Sequence, residues 1–509
     1  MAHTHPFGRM TRRQALKLTA AMTAMAAVGR IPAISAVAEA AATRASASNR
    51  AVDASLARLA ADRLMFGPRA GDVAHIQQIG IDAFIDEQMA LQPDADADQP
   101  QLAGLELQFP ALAMKPGELV RQVQSDKSMS RIEVIADLQA ATILRAIYSR
   151  RQLYEVMVDF WSNHFNIFAA KNICYALKPN DDRDVVRPHA LGNFNDMLHA
   201  SAQSPAMLIY LDNQANRKRA PDENYARELM ELHTVSVDGG YTQKDVQELA
   251  RVLTGWNVVN PRNDGMMGMA GNGEAGDFFY NERIHDNGAA SVMGLHIPAG
   301  AGMRGGKMAL DMLASRPSTA TFISTKLARR FISDAPPASA VQKGAAAFTK
   351  SKGDIKATLS AILHSEEFRQ SLGQKMKRPF EFGVSALRIL DAGVTINKRL
   401  LRTFNQLGQP LFLWAFPNGY PDVRNAWNST NLILNRWNFA NALAANDLPG
   451  VQVNLQALFA GNVSMEALAL QLLSAPLPQS AKAALQPYAG HLPALVALML
   501  SAPAFQTRG

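Results

Sequence analysis

Cysteine is almost missing from this chain: its 509 residues include one, Cys174. That excludes an internal disulfide framework and any metal site built on a cysteine cluster. Aromatic residues are scarce at 7%, and charged residues, at 19%, fall below the usual quarter or so. Ala, Leu and Met are abundant instead, a balance that favours helix over sheet. After the first forty residues no apolar run is long enough for a membrane-spanning helix. A basic face is also missing. The net charge is +7, but Arg9, Arg12, Arg13, Lys17 and Arg30 lie within residues 1–38, which carry no acid, so 7 − 5 leaves about +2 for the rest. No Lys/Arg run remains to bind nucleic acid, and that class is set aside.

The hydrophobic share, 48%, is enough for a sizeable core. Residues 1–38 read as an export signal. Arg12-Arg13 stands ahead of a short Ala/Thr-rich apolar segment, Leu18 to Val28, and small-residue cleavage sites follow at Ala36-Val37-Ala38 and Ala40-Ala41-Ala42. The pattern is that of a twin-arginine leader, so a periplasmic, envelope or secreted location is expected. Residues 39–51 form a small, polar linker.

The mature chain reads as all-α: one large multi-helix domain with a Gly-rich irregular insertion. Residues 52–259 make an N-terminal helical half, 260–306 a Gly- and Met-rich loop segment, and 307–509 a C-terminal helical half. Within the loop segment, Val292-Met293-Gly294 is expected to turn a short hairpin. Gly300 to Gly306 lacks the Gly-Lys-Ser/Thr ending of a phosphate loop and reads as flexible connection. In the stretch 222–256, Thr242 and Asp245 form a capping-box pair, Tyr241 and Val246 stand at staple positions, and Gly255 follows as the stop.

Two helices carry histidine on an apolar arc. In the first, Leu153, Val156, Met157, Phe160, Trp161 and Phe165 share a face with His164, while Glu155 and Asp159 lie opposite. In the second, Tyr225, Ala226, Leu229, Met230 and Leu232 share a face with His233, and Glu223, Arg227 and Glu231 run along the other side as a salt-bridged row. On an unbroken helix Glu231 and His233 point apart and cannot chelate one ion. A His on an apolar stripe is commonly a satisfied core residue. The sharper alternative is that His164 and His233 meet between helices and bind a transition metal or haem, or work as acid and base, with Glu228 at the edge of the arc as a partner; Arg227 is a further catalytic candidate. The loop residues His285 and Asp286 are further candidates, His285 as metal ligand or general base and Asp286 as its orienting partner or a separate ligand. Asp212, Asn213, Glu223 and Asn224 form a polar set whose bland account is capping and loop hydrogen bonds. No HExxH occurs, and neither histidine helix has a Glu-x-x-His pair. Pro417 to Asp422 is a turn-rich loop suited either to closing a pocket or to packing two helices.

Several of these segments resemble one family. Arg63-Leu64-Met65-Phe66-Gly67-Pro68, Phe160 to Phe165, Pro205 to Asp212, Glu223 to Thr234, His285-Asp286, Phe322 to Phe331, Leu407 to Phe412 and Pro417 to Asp422 are similar, in order, to the motifs of the bacterial family called domain of unknown function 1800. The resemblance runs from about Leu56 to the C-terminus. It implies an exported or envelope protein, commonly encoded beside a second exported protein that is the expected partner, and it implies no particular reaction. Two readings follow. One is an envelope enzyme with a His/Glu/Asp site, dependent on a metal or cofactor; the other is a non-enzymatic partner or scaffold for another exported protein.

Overall fold

The computed structural model describes residues 54–125, 129–259, 274–459 and 464–509. The leader, the linker and residues 260–273 of the Gly/Met-rich segment lie outside the described residues. The fold is mainly helical, with three two-stranded antiparallel sheets among the described residues. No described helix is long and apolar enough to cross a membrane. The chain divides into two compact units. One comprises Ile85–Gln370 and Gln409–Asp422; the other comprises the chain up to Phe84, Ser371–Gly408 and Val423–Gly509.

The first unit is organised on α1 (Arg131–Tyr148), α2 (Gln152–His164), α3 (Phe194–Ala202), α4 (Asn224–Glu228), α5 (Gln243–Val252), α6 (Met303–Ser315), α7 (Pro317–Phe331), α8 (Ala338–Lys350) and α9 (Ile355–Leu363). Each begins where local chemistry allows it. Ser130 and Glu133 close a capping box on α1, and Thr242 and Asp245 close one on α5. Asp354 caps α9 and Pro317 occupies the first turn of α7. Such caps contribute about 1 kcal/mol each by satisfying donors the helix cannot. The apolar arc of α2 is buried throughout, Leu153, Val156, Met157 and Trp161 at 0% exposure. Glu155, expected on the wet face, is buried as well, because Arg187 donates to both its oxygens at 3.0 and 3.2 Å.

Strands β1 (Trp256–Val258) and β2 (Phe278–Tyr280) pair antiparallel, as do β3 (Ala290–Val292) and β4 (Leu295–Ile297). The second pair is the expected hairpin. Met293 and Gly294 turn it with φ of 48° and 85°, the two positive values a type I′ turn requires. Its tip is held from both sides: Met293 N–H donates to Asp245 and Met293 C=O accepts from Arg316. The Gly-rich run is half turn and half helix: Gly300 to Gly302 lead into a helix that takes up the rest. α6 starts at Met303, and Gly306 lies so close to the Trp256 indole that a Cβ there would collide with it. Glycine is needed at that point for the approach of a helix to an aromatic ring.

The other unit joins three separate segments. The helix Ala54–Leu64 packs with Pro379–Ile389, Thr430–Ala444 and Leu492–Ser501 around Phe66, Phe380, Phe382, Phe439 and Phe505. Its interior is unusually ionic: Arg63, Lys377, Arg436 and Arg508 are each at most 2% exposed.

Candidate functional site

α2 and α7 run antiparallel, and two polar rungs cross between them. Asp159 meets Arg330 at 3.7 Å, and one turn along, His164 Nδ1 meets Lys326 Nζ at 2.7 Å. The second rung fixes its own protons. His164 Nε2 lies 3.1 Å from the His233 carbonyl, an oxygen that only accepts, so Nε2 carries the hydrogen. Nδ1 is then left with a lone pair, which accepts from the lysine amine. His164 is therefore a neutral imidazole wedged between a carbonyl and an amine.

The carbonyl is available because of a local change in helix geometry. After α4 the chain continues as a π-helical turn, Leu229–His233, and ends at Thr234. The last carbonyls of a helix lack internal partners, and His164 satisfies one of them. π-Helical turns are rare and recur at functional sites. Here the turn delivers both the His233 carbonyl and the His233 ring, whose centroid lies 6.0 Å from that of His164. The two histidines nominated by their apolar arcs thus meet.

His233 is 1% exposed, and neither ring nitrogen has a hydrogen-bond partner. Leaving a buried N–H donor unmet costs about 1–3 kcal/mol. Phe165, at 5.0 Å between centroids, with Phe160, Trp161, Phe194 and Phe322 around His164, makes the surroundings aromatic and dry. The electrostatics follow from that dryness. Burial first, then the Lys326 charge, drive His233 down to about 3 and hold His164 well below the usual imidazole range. Burial also pushes Lys326 down to about 7, with Arg329 adding to the effect and the Asp422 carboxylate opposing it.

A loop frames this centre. Asn163, beside His164, donates to the Tyr420 carbonyl at 2.9 Å and accepts from the Tyr420 N–H at 2.7 Å. Asn166 donates to the carbonyls of Trp414 and Phe416, and the Tyr210 hydroxyl donates to Ala415. Gly419 packs on the Asn163 backbone at φ +69°, where a side chain would clash. The turn-rich loop is thereby strapped to the end of α2. It displays Trp414 against Tyr420 at 4.7 Å and leaves Phe416 62% exposed.

The other nominated residues lie elsewhere in this unit. His285 is 4% exposed; its Nδ1–H donates to the Thr254 carbonyl at 2.7 Å and its ring meets Tyr280 edge to face. Asp286 does not orient it. The carboxylate takes two bonds from Arg251, at 2.9 and 3.3 Å, and one from the Gly288 N–H, and the Arg251 bonds hold its pKa below the usual range. Arg227 bonds Glu223 and Gln243 and lies 3.7 Å from Glu231, whose other partner is the Tyr241 hydroxyl. That row is a strut between α4 and α5. Glu228 is half-buried, and burial, then the Glu231 charge, raise its pKa. Asp212 is held by Lys171, and Asn213 by the carbonyls of Leu253 and Trp256.

A metal does not fit the nominated set. Both nitrogens of His164 are committed, and among the described residues no three His, Cys, Asp or Glu side chains gather closely enough to hold an ion. Lys326 is the member that reading the sequence missed. Its signal was faint: with Arg330 it borders the apolar stripe of Ile323, Leu327 and Phe331, an odd place for two bases on α7.

The molecule is thus a mainly helical protein in which a buried imidazole meets a half-buried amine beside an aromatic loop. Residues 59–507 match the model of a family described as a protein of unknown function, DUF1800, and the chain belongs to that family. No curated protein and no solved structure matches it.

Proposed function

We propose that this chain is an exported enzyme whose working group is the Lys326 amine, held by His164 and accompanied by the unmet donor of His233. One observation carries the reading: Lys326 Nζ lies 2.7 Å from a histidine lone pair inside an aromatic shell. A buried lysine placed for stability faces a carboxylate, because only an opposite charge offsets its desolvation. Lys326 is half-buried, its hydrogen-bond partner is a neutral ring, and the Asp422 carboxylate offsets only part of its desolvation, which favours the free amine near neutral pH. Enzymes that use lysine as base or nucleophile tune it in this way.

Competitive labelling tests the reading. The folded mature chain is pulsed with acetic anhydride across a pH series and Lys326 is followed by peptide mapping. Half-maximal reactivity near pH 7, against surface lysines at their ordinary value near 10.4, is the expected result. A Lys326 that titrates with the surface lysines, or that never reacts in the folded protein, defeats it. Export is a separate part of the proposal and rests on Arg12-Arg13 and the segment after them. Replacing both arginines by lysine is expected to retain the precursor in the cytoplasm, as fractionation will show.

A further inference from the structure

Resting on the reading above, we propose that Lys326 captures a carbonyl compound, an aldehyde or ketone carrying an aromatic group, by forming an imine. Three features of the site point to this chemistry. The amine has a histidine lone pair at hydrogen-bond distance to take its proton. His233 presents a buried nitrogen donor with no protein acceptor, and an oxygen-bearing ligand would supply one. The strapped loop sets Trp414 and the exposed ring of Phe416 on Asn166, two residues beyond His164. Exposed aromatic surface held by backbone hydrogen bonds is a platform for a flat ligand group.

The step balances without any further reagent. The Lys326 nitrogen lone pair attacks the carbonyl carbon and a C–N bond forms. The C=O π pair moves to oxygen, which accepts a hydrogen bond from His233. The two amine protons pass in turn from the adduct nitrogen to His164 Nδ1 and on to the oxygen, the first giving the carbinolamine and the second turning its hydroxyl into a leaving water. The C–O bond breaks, water leaves, and the imine remains; nothing is oxidised or reduced. The aromatic surround supports the direction of the step, since a neutral imine suits it better than an ammonium does.

Reductive trapping decides the matter. The folded mature chain is incubated near neutral pH with benzaldehyde or acetaldehyde, then reduced with sodium borohydride, and the adduct is read by intact mass and peptide mapping. One benzyl group per chain on the Lys326 peptide is expected, lost in Lys326→Arg. Phe416→Ala is expected to lower the preference for benzaldehyde over acetaldehyde by roughly three- to tenfold, the worth of one aromatic contact. Scattered modification of surface lysines with Lys326 unmodified overturns the proposal. If Lys326 reacts with acetic anhydride near pH 7 yet never traps a carbonyl, the carbonyl proposal fails and the amine reading stands. If it does neither, both fail.

Discussion

His233 makes the site visible to a pH titration. Its folded pKa, about 3, lies below the unfolded histidine value near 6.5. Between those values the unfolded chain binds the extra proton, so stability rises with pH there and is lost as pH falls. One such group changes stability by about 1.4 kcal/mol per pH unit in that window. Denaturant titrations of wild type and His233→Phe at pH 6.5 and 4.5 should therefore diverge, the wild type losing more on acidification; equal losses would remove His233 from the account. Lys326 has the same sign in a higher window, between about 7 and its unfolded value near 10.4. Its folded value, about 7, is below the unfolded 10.4, so below pH 7 the charged amine is a standing cost. Lys326→Met should leave the melting temperature unchanged or raise it at pH 6, whereas a structural lysine would cost several kcal/mol when removed. How much of this was legible in the sequence depends on the residue. His164 and His233 stood out as polar interruptions of apolar arcs. Lys326 did not, because a lysine bordering an apolar stripe ordinarily carries its amine out to water, and only its distant neighbour His164 makes it otherwise.

At the scale of elements, local chemistry was the legible part. Thr242 with Asp245, Pro317, and the Met293-Gly294 turn each satisfy a requirement set within a few residues. What was not legible depended on partners far along the chain. Gly300 to Gly306 reads as loop until Trp256 is seen to press against Gly306. The row from Tyr225 to His233 reads as unbroken α-helix, and its π-helical end appears only with the structure. The strapped loop is the element most open to test. Asn163 alone makes the paired bonds to the Tyr420 backbone. Asn163→Ala is expected to release that grip, so hydrogen exchange at the Tyr420 amide should quicken by roughly one to two orders of magnitude, as loss of about 1–3 kcal/mol implies. Protection unchanged from wild type would show that the loop is held by other means.

At the scale of the molecule, the unit made of three segments shows the limit of reading a chain in order. Arg63 and Arg508 sit 445 residues apart, yet Arg508 donates to the carbonyls of Asp62 and Arg63, and Arg63 donates back to the Arg508 carbonyl. The Lys377 N–H donates to Gln506 and the Arg508 N–H to Lys375, so the chain's last residues lie along the segment that leads into Pro379–Ile389. Asp62 is the anion at the centre. Burial works to raise its pKa, but Arg58, Lys377 and Arg508 outweigh that and hold the carboxyl below its ordinary value. A depressed carboxylate contributes stability above its unfolded pKa, near 3.9, and the contribution disappears as pH falls through the folded value. Removing the charge is a harsher change than protonating it in acid, because the cations stay buried with one partner fewer. Asp62→Asn is thus expected to cost about 3–5 kcal/mol at neutral pH, the usual penalty for breaking a buried pair. Deleting Arg508 and Gly509 removes one cation and two backbone–backbone bonds together, Arg508 N–H to Lys375 and Gly373 N–H to Gly509, and should destabilise the same unit. Because the His164–Lys326 pair lies in the other unit, mild denaturant should unfold the Asp62→Asn unit first while Lys326 keeps its labelling midpoint near pH 7. Simultaneous loss of both signals would instead show that the two units melt as one.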